Sequence, residues 1–276
     1  MISIKPTERT QARFGAQSAG ARAAGAKITL ICGFLLAWQI YAAVGGVDSL
    51  VFASPVQVLE AIWNGLLTGS LVDATLGTFR FLAIGLGVGV TAAVIMTILA
   101  TWSKWCEYAL SLATSTLTPL PAIAILPLVI LWFGIGPLAL SIVIANSVVW
   151  PVALNISAGF RSVNPTMVMV GNVLGLNKFR LARDILLPAA LPYTFTGLKT
   201  GWAFAWRTLI GAELVFGASG QGGGLGFYIN NASMFMRVDE VFAGLVTIAI
   251  TGVLVEALFK VLERRTLVRW GMSAPA

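Results

Sequence analysis

The sequence predicts an all-α, polytopic membrane protein with six transmembrane helices and both termini on the cytoplasmic side. Three observations carry this. Of its 276 residues 58% are hydrophobic and only 11% charged, whereas a soluble domain has about 25% charged residues to meet water. Apolar runs of about 20 residues, enough to cross a bilayer, recur six times between charged or turn-forming stretches. Finally, all of the 18 Lys and Arg residues except Arg80, Arg207 and Arg237 fall in the tails, in alternate connections or at the span edges beside them, and positive charge marks the cytoplasmic side.

Residues 1–27 form a basic tail, and the first span follows at about 28–47. It is longer than a signal-peptide core and has no small-residue cleavage site at its end, so it reads as a retained helix. In the 48–77 connection, Ser54 followed by Pro55 is the signature of a helix N-cap and first turn, and predicts a short amphipathic helix along the outer face. The second span, about 78–102, carries Gly85 and Gly89 at the spacing that lets helices approach closely; Arg80 near its outer end snorkels to the interface.

The third span, about 108–133, contains Pro119, Pro121 and Pro127. Proline removes a backbone donor and clashes one turn back, so the helix breaks near 118–121. Broken backbone inside a membrane either packs in protein or lines a watery path. The fourth span runs over about 137–158, where Asn146 and Asn155 read as inter-helix hydrogen-bonders. The fifth, about 194–216, repeats the close-approach spacing with Gly197 and Gly201, and holds Arg207 and Glu213. An ionisable group at this depth needs a cavity or a partner. Two readings of Arg207 stand side by side: it faces a polar pathway and meets an anion, or it pairs with Glu213 or another acid on a neighbouring helix. The sixth span, about 241–261, completes one transmembrane domain over 28–270, leaving a tail at 271–276.

Composition also excludes chemistry. With no histidine, histidine-based triads, zinc sites and haem ligation are ruled out, and no metal site or catalytic residue is expected. Cys32 and Cys106 read as buried small hydrophobes. The net charge of +7 belongs to cytoplasmic loops, not to nucleic-acid binding. The glycine-rich stretch 217–226 lacks the spacing, lysine and preceding strand of a phosphate loop, and is read as a turn before the last helix. A channel or ion-coupled secondary transporter is the alternative function class, but the spans offer few of the acidic relays it requires.

The 159–193 connection is the long one. Asn164-Pro165 caps a first amphipathic helix ending at Leu174-Gly175; a second carries Phe179, Arg180, Arg183 and Ile185, and stops at Pro188. Gly175, nine residues, then Ile185-Leu186-Leu187-Pro188 resembles the EAA loop of ATP-binding-cassette (ABC) importer permeases. Further segments, Pro119-Leu120-Pro121, Leu131–Gly136, Gly159–Val163, Thr196–Lys199 and Ala212-Glu213-Leu214 before Gly224-Leu225-Gly226, are similar to permeases of the nitrate/sulfonate/taurine/bicarbonate group. The resemblance covers about residues 50–270. Where the family has Glu-Ala-Ala, this chain has Met169-Val170-Gly171, so the acidic anchor toward the ATPase is absent.

The resemblance implies the type I importer permease fold in a bacterial inner membrane. It implies two cytoplasmic ATPase subunits that bind ATP and Mg, a periplasmic solute-binding protein, a second permease copy and surrounding lipid, with no cofactor on this chain. The ATPase-coupling residues would be Asn164, Pro165, Met169, Gly171, Gly175, Phe179, Arg180, Arg183, Ile185 and Pro188. Pro119, Pro121, Asn146, Arg207 and Glu213 would line or gate the path of a small anionic solute of the sulfonate, nitrate, taurine or carboxylate type.

Overall fold

The computed structural model describes residues 25–26, 28–45, 48, 51–216 and 223–268, and among them every regular element is a helix. The leading helix α1 (Ile28–Val44) leaves Leu30, Phe34 and Ile40 uncovered by the rest of the chain. It is pinned by Trp38, whose indole N–H donates to the Ala53 carbonyl at 3.1 Å and whose ring packs near Phe52 and Phe242.

Helix α2 (Pro55–Leu67) starts where the cap signal placed it. Ser54 Oγ accepts the Gln57 N–H at 3.3 Å, and Gln57 Oε1 accepts the Ser54 N–H at 2.8 Å. This reciprocal capping satisfies two donors the helix cannot. Ser54→Ala is expected to cost about 1 kcal/mol of local stability, read as faster amide exchange confined to α2; unchanged exchange there would refute the cap.

Helix α3 (Ser70–Trp102) is longer than expected, because residues 70–77 are helical and not part of the loop. Gly69, at φ 81°, makes the turn between α2 and α3, and Leu71 and Ala74 extend the buried face of α3 by two turns. The expected break follows: α4 (Lys104–Leu117) and α5 (Leu126–Phe133) are joined by residues 118–121 and a 3-10 turn at Ala122–Ile125, with an angle of 96° between the two halves. Pro119 and Pro121 have no N–H to continue the helix. After a tight turn comes α6 (Pro137–Ser162), one turn longer than its predicted span. Then follow α7 (Pro165–Val173), α8 (Lys178–Leu181), α9 (Leu187–Ala189), α10 (Leu191–Phe216), α11 (Leu225–Met234) and α12 (Val238–Glu263). Of these, α3, α6, α12 and the bent α4–α5 pair meet the length and apolarity for crossing a membrane.

The core is built around α6, which lies between α3 and α10. Gly85 and Gly89 of α3 press on Ile144 and Val148; Gly197 and Gly201 of α10 press on Asn155 and Val152. A Cβ at Gly85 would come within 2.5 Å of Ile144 Cβ, and one at Gly89 within 2.8 Å of the Ala145 carbonyl oxygen. Both small-residue pairs are therefore helix contacts, and Leu82, Ile144, Val152 and Leu209 fill the space between.

Two expectations are corrected. Cys32 and Cys106 are free and exposed. Asn146 and Asn155 bond within their own helix, Asn146 Oδ1 accepting from Trp150 Nε1 at 3.0 Å and Asn155 Nδ2 donating to the Pro151 carbonyl at 2.8 Å.

Candidate functional site

The break between α4 and α5 opens a cavity of about 330 Å³. Thr118, Pro119 and Pro121 supply one wall; Asn146, Trp150 and Pro151 of α6 and Arg207 of α10 supply the others. Four of the five residues proposed for the path thus meet in one place. Pro151 lies inside α6 and has no N–H to donate to the Ser147 carbonyl. Arg207 is exposed and is the one charged residue among the described lining residues. It forms no ion pair or hydrogen bond with another described residue. A guanidinium keeps its charge in all protein settings, so this cavity presents a fixed positive centre.

Glu213 is elsewhere. Its side chain is fully buried at the start of α11. Gly226 N–H donates to Glu213 Oε2 at 2.9 Å. The Thr78 hydroxyl of α3 lies 3.3 Å from Oε2, donating to it, and accepts the Leu225 N–H at 2.8 Å. The carboxylate therefore caps a helix N-terminus, where unpaired N–H groups and the helix dipole favour negative charge. Gly224 and Gly226 are required by proximity: a Cβ at Gly224 would overlap the Glu213 carboxylate, and one at Gly226 would lie 2.5 Å from Glu213 Cβ. The Asn230 amide adds a bond to the Leu214 carbonyl at 2.8 Å. Thr78 was missed in the sequence, since nothing local ties it to Glu213 and Leu225, 135 and 147 positions away. Residues 217–222 of the glycine-rich stretch lie outside the described residues.

At the opposite end, the 159–193 connection folds as two helices around a turn. Asn164 Oδ1 accepts the Thr166 N–H at 2.9 Å with Pro165 next to it, and Asn177 Oδ1 accepts the Arg180 N–H at 2.8 Å. Between them Gly175 sits at φ 72°, a left-handed position that suits glycine. Gly175 N–H bonds the Asn172 carbonyl and Leu176 N–H the Gly171 carbonyl, each at 3.0 Å, which is the Schellman closure of a helix C-terminus. Gly171 is buried, its Cα facing the ends of Leu181 and Ile185 so closely that a Cβ would stand 2.7 and 2.8 Å from them. The second helix does not stop at Pro188. It runs one residue further, through a π-helical stretch at Ala182–Leu186 and α9 to Ala189. Met167, Val170, Ile185 and Pro188 enclose an apolar hollow of about 490 Å³. Met169, Val173, Leu174 and Phe179 are exposed around it, Val173 at 87%, with Arg180 and Arg183 beside them.

Residues 85–268 match the family described as the binding-protein-dependent transport system inner membrane component. The chain belongs to this family. The match begins within α3, after Thr78, and takes in the cavity, Glu213 with α11, and the two-helix connection. The permease is 31% identical over 236 residues to the putative aliphatic sulfonates transport permease protein SsuC of Bacillus subtilis, covering 86% of this chain and 84% of that one. To the taurine transport system permease protein TauC of Escherichia coli it is 30% identical over 245 residues, 84% of each chain. The riboflavin transport system permease protein RibX of Chloroflexus aurantiacus is 31% identical over 251 residues, 91% of each. In fold it is similar to a chain of the MetNI methionine ABC transporter, in inward-facing conformations, with a TM-score of 0.53 at 15% identity over 76% of this chain and 96% of that one. The permease is thus a membrane component of an ABC importer, and ATP hydrolysis in such systems resides in a separate subunit.

Proposed function

We propose that two copies of this permease, each crossing a bacterial inner membrane six times with both termini inside, form the path of an importer for a small anion. Two cytoplasmic ATPase subunits bind ATP and Mg and engage the 159–193 loop; a periplasmic binding protein delivers the solute at the α2/α11 end. The solute is of the sulfonate, nitrate, taurine or carboxylate type. The observation that carries the anion reading is Arg207, unpaired among the described residues, in the cavity at the helix break. A charge at this depth with no partner among the described residues is costly within a bilayer, about 2.5–3.5 kcal/mol at a helix centre, and a passing oxyanion offsets that cost. The names of the sulfonate and taurine relatives support the same class; the riboflavin relative shows that the scaffold also serves in a system for another kind of solute.

In this reading the exposed apolar ring of Met169, Val173, Leu174 and Phe179 with Arg180 and Arg183 seats in a groove on the ATPase. Helix-in-groove docking uses such a face. Asn164, Pro165, Gly171, Gly175, Ile185 and Pro188 shape the loop that presents it. Without the family's glutamate at position 169, contact with the ATPase relies on apolar burial.

The test is uptake of an aliphatic sulfonate by proteoliposomes holding the complete complex. Arg207→Ala should lower the uptake rate about tenfold, ~1.4 kcal/mol, with Arg207→Lys intermediate and ATPase assembly intact. Equal uptake by Arg207→Ala and wild type would remove Arg207 from the path.

A further inference from the structure

We infer that Thr78 and Glu213 are positioning residues that make α11, α10 and α3 move as one body, and that α3 carries this movement to the ATPase-facing loop. The inference rests on the reading that the binding protein meets the α2/α11 end and the ATPase the 159–193 end. Helix α3 touches both. Just over two turns from its start, Thr78 is joined to Glu213 and to Leu225 N–H. At its last residue, the Trp102 carbonyl accepts a hydrogen bond from Lys178 Nζ of α8 at 3.0 Å. The two contacts are about 36 Å apart at 1.5 Å per residue, and no proline interrupts α3.

The clamp at the α11 end is fully buried, with Thr78 and Glu213 each at 0% exposure. Water therefore cannot replace these bonds if α11 swings away, and a buried carboxylate left without donors is strongly disfavoured. The lack of room for side chains at Gly224 and Gly226 removes the slack as well. Displacement of α11 must take the ends of α10 and α3 with it. At the other end Lys178 is exposed, so its bond is replaceable by water and guides the loop more weakly. Family membership explains neither Thr78 nor Lys178; the geometry does.

The experiment uses the whole complex in nanodiscs and measures ATPase rate with and without the loaded binding protein. Thr78→Val keeps the shape of the side chain and removes both of its hydrogen bonds. The ratio of stimulated to basal rate should fall at least threefold, KM for ATP should not change, and Thr78→Ser should restore the ratio. Glu213→Gln should lower it in the same direction. A residue that only supports folding would reduce yield and melting temperature and leave the ratio of the surviving complex alone; a wild-type ratio in Thr78→Val overturns the inference. Should Thr78→Val fail to assemble, Lys178→Ala decides, because it lies on the surface: a drop of about twofold supports α3 as the connection and an unchanged ratio overturns it. If wild type itself shows no ATPase activity or no stimulation, the importer arrangement beneath the inference is what fails.

Discussion

Gly175→Pro abolishes stimulation of the ATPase by the loaded binding protein while the transmembrane bundle stays folded. Proline holds φ near −65°, and Gly175 stands at +72°. Proline also lacks the N–H that bonds the Asn172 carbonyl, and it disfavours helical conformation in the residue before it, here Leu174, the C-cap of α7. The turn that sets α8 against α7 is lost, and with it the fixed presentation of Met169, Val173, Leu174 and Phe179. The expected readout is a stimulated ATPase rate reduced to basal, a loss of tenfold or more, with helical content and bundle melting temperature close to wild type. Because nothing lies within 4 Å of the position of a Cβ at Gly175, Gly175→Ala separates conformation from crowding. It is strained by its left-handed backbone alone, at about 1–2 kcal/mol, and should give a partial defect. A Gly175→Pro complex stimulated like wild type would show that the turn is not part of coupling.

Gly89→Leu disrupts the bundle itself. Its Cβ would meet the Ala145 carbonyl oxygen at 2.8 Å and Val148 Cβ at 2.7 Å. Backbone cannot rotate aside as a side-chain end can, so α3 and α6 must separate along a contact that also includes Gly85 and Ile144. Overpacking of a well-filled core costs about 1–3 kcal/mol when side chains can adjust, and more is expected here. The measurement is thermal unfolding in detergent, with a fall of several degrees in the melting temperature for Gly89→Ala and no folded monomer recovered for Gly89→Leu. Gly87, two positions from Gly85 and from Gly89 and with no neighbour near its Cβ, is the control, and its alanine variant should melt like wild type.

What could be read from the sequence was what depends on neighbours along the chain. Ser54-Pro55 and Asn164-Pro165 marked helix starts because capping is a local hydrogen bond. Three prolines marked the break in the third span because each removes a donor at a known place. Paired glycines at 85/89 and 197/201 marked the faces that approach α6. The misses have a common cause. In a membrane chain the lipid-facing and core-facing sides are equally apolar, so hydrophobicity could not sort Cys32 and Cys106, and both proved exposed. Nor could it separate Ser70–Gly77 from a loop, since the stretch mixes polar and apolar residues at the edge of the bilayer. Asn146 and Asn155 found acceptors and donors one turn away in α6, a choice that depends on side-chain direction. Glu213 was visible as a carboxylate at depth, but its partners Thr78 and Gly226, and the Leu225 N–H that bonds Thr78, come together only through packing of α3, α10 and α11. Its pairing with Arg207, one of two open readings, gave way to this cap, and the cavity took Arg207 without it.

Accumulation of an aliphatic sulfonate by sealed proteoliposomes tests whether this chain serves as the passage of an ATP-driven importer. With ATP on the side of the 159–193 loop and loaded binding protein on the other, the sulfonate should rise inside above its outside concentration, stop when ATP is omitted, and be indifferent to a protonophore or to sodium. Uptake that proceeds without the ATPase and collapses with an ion gradient would contradict an ATP-driven importer and assign the chain to ion-coupled transport.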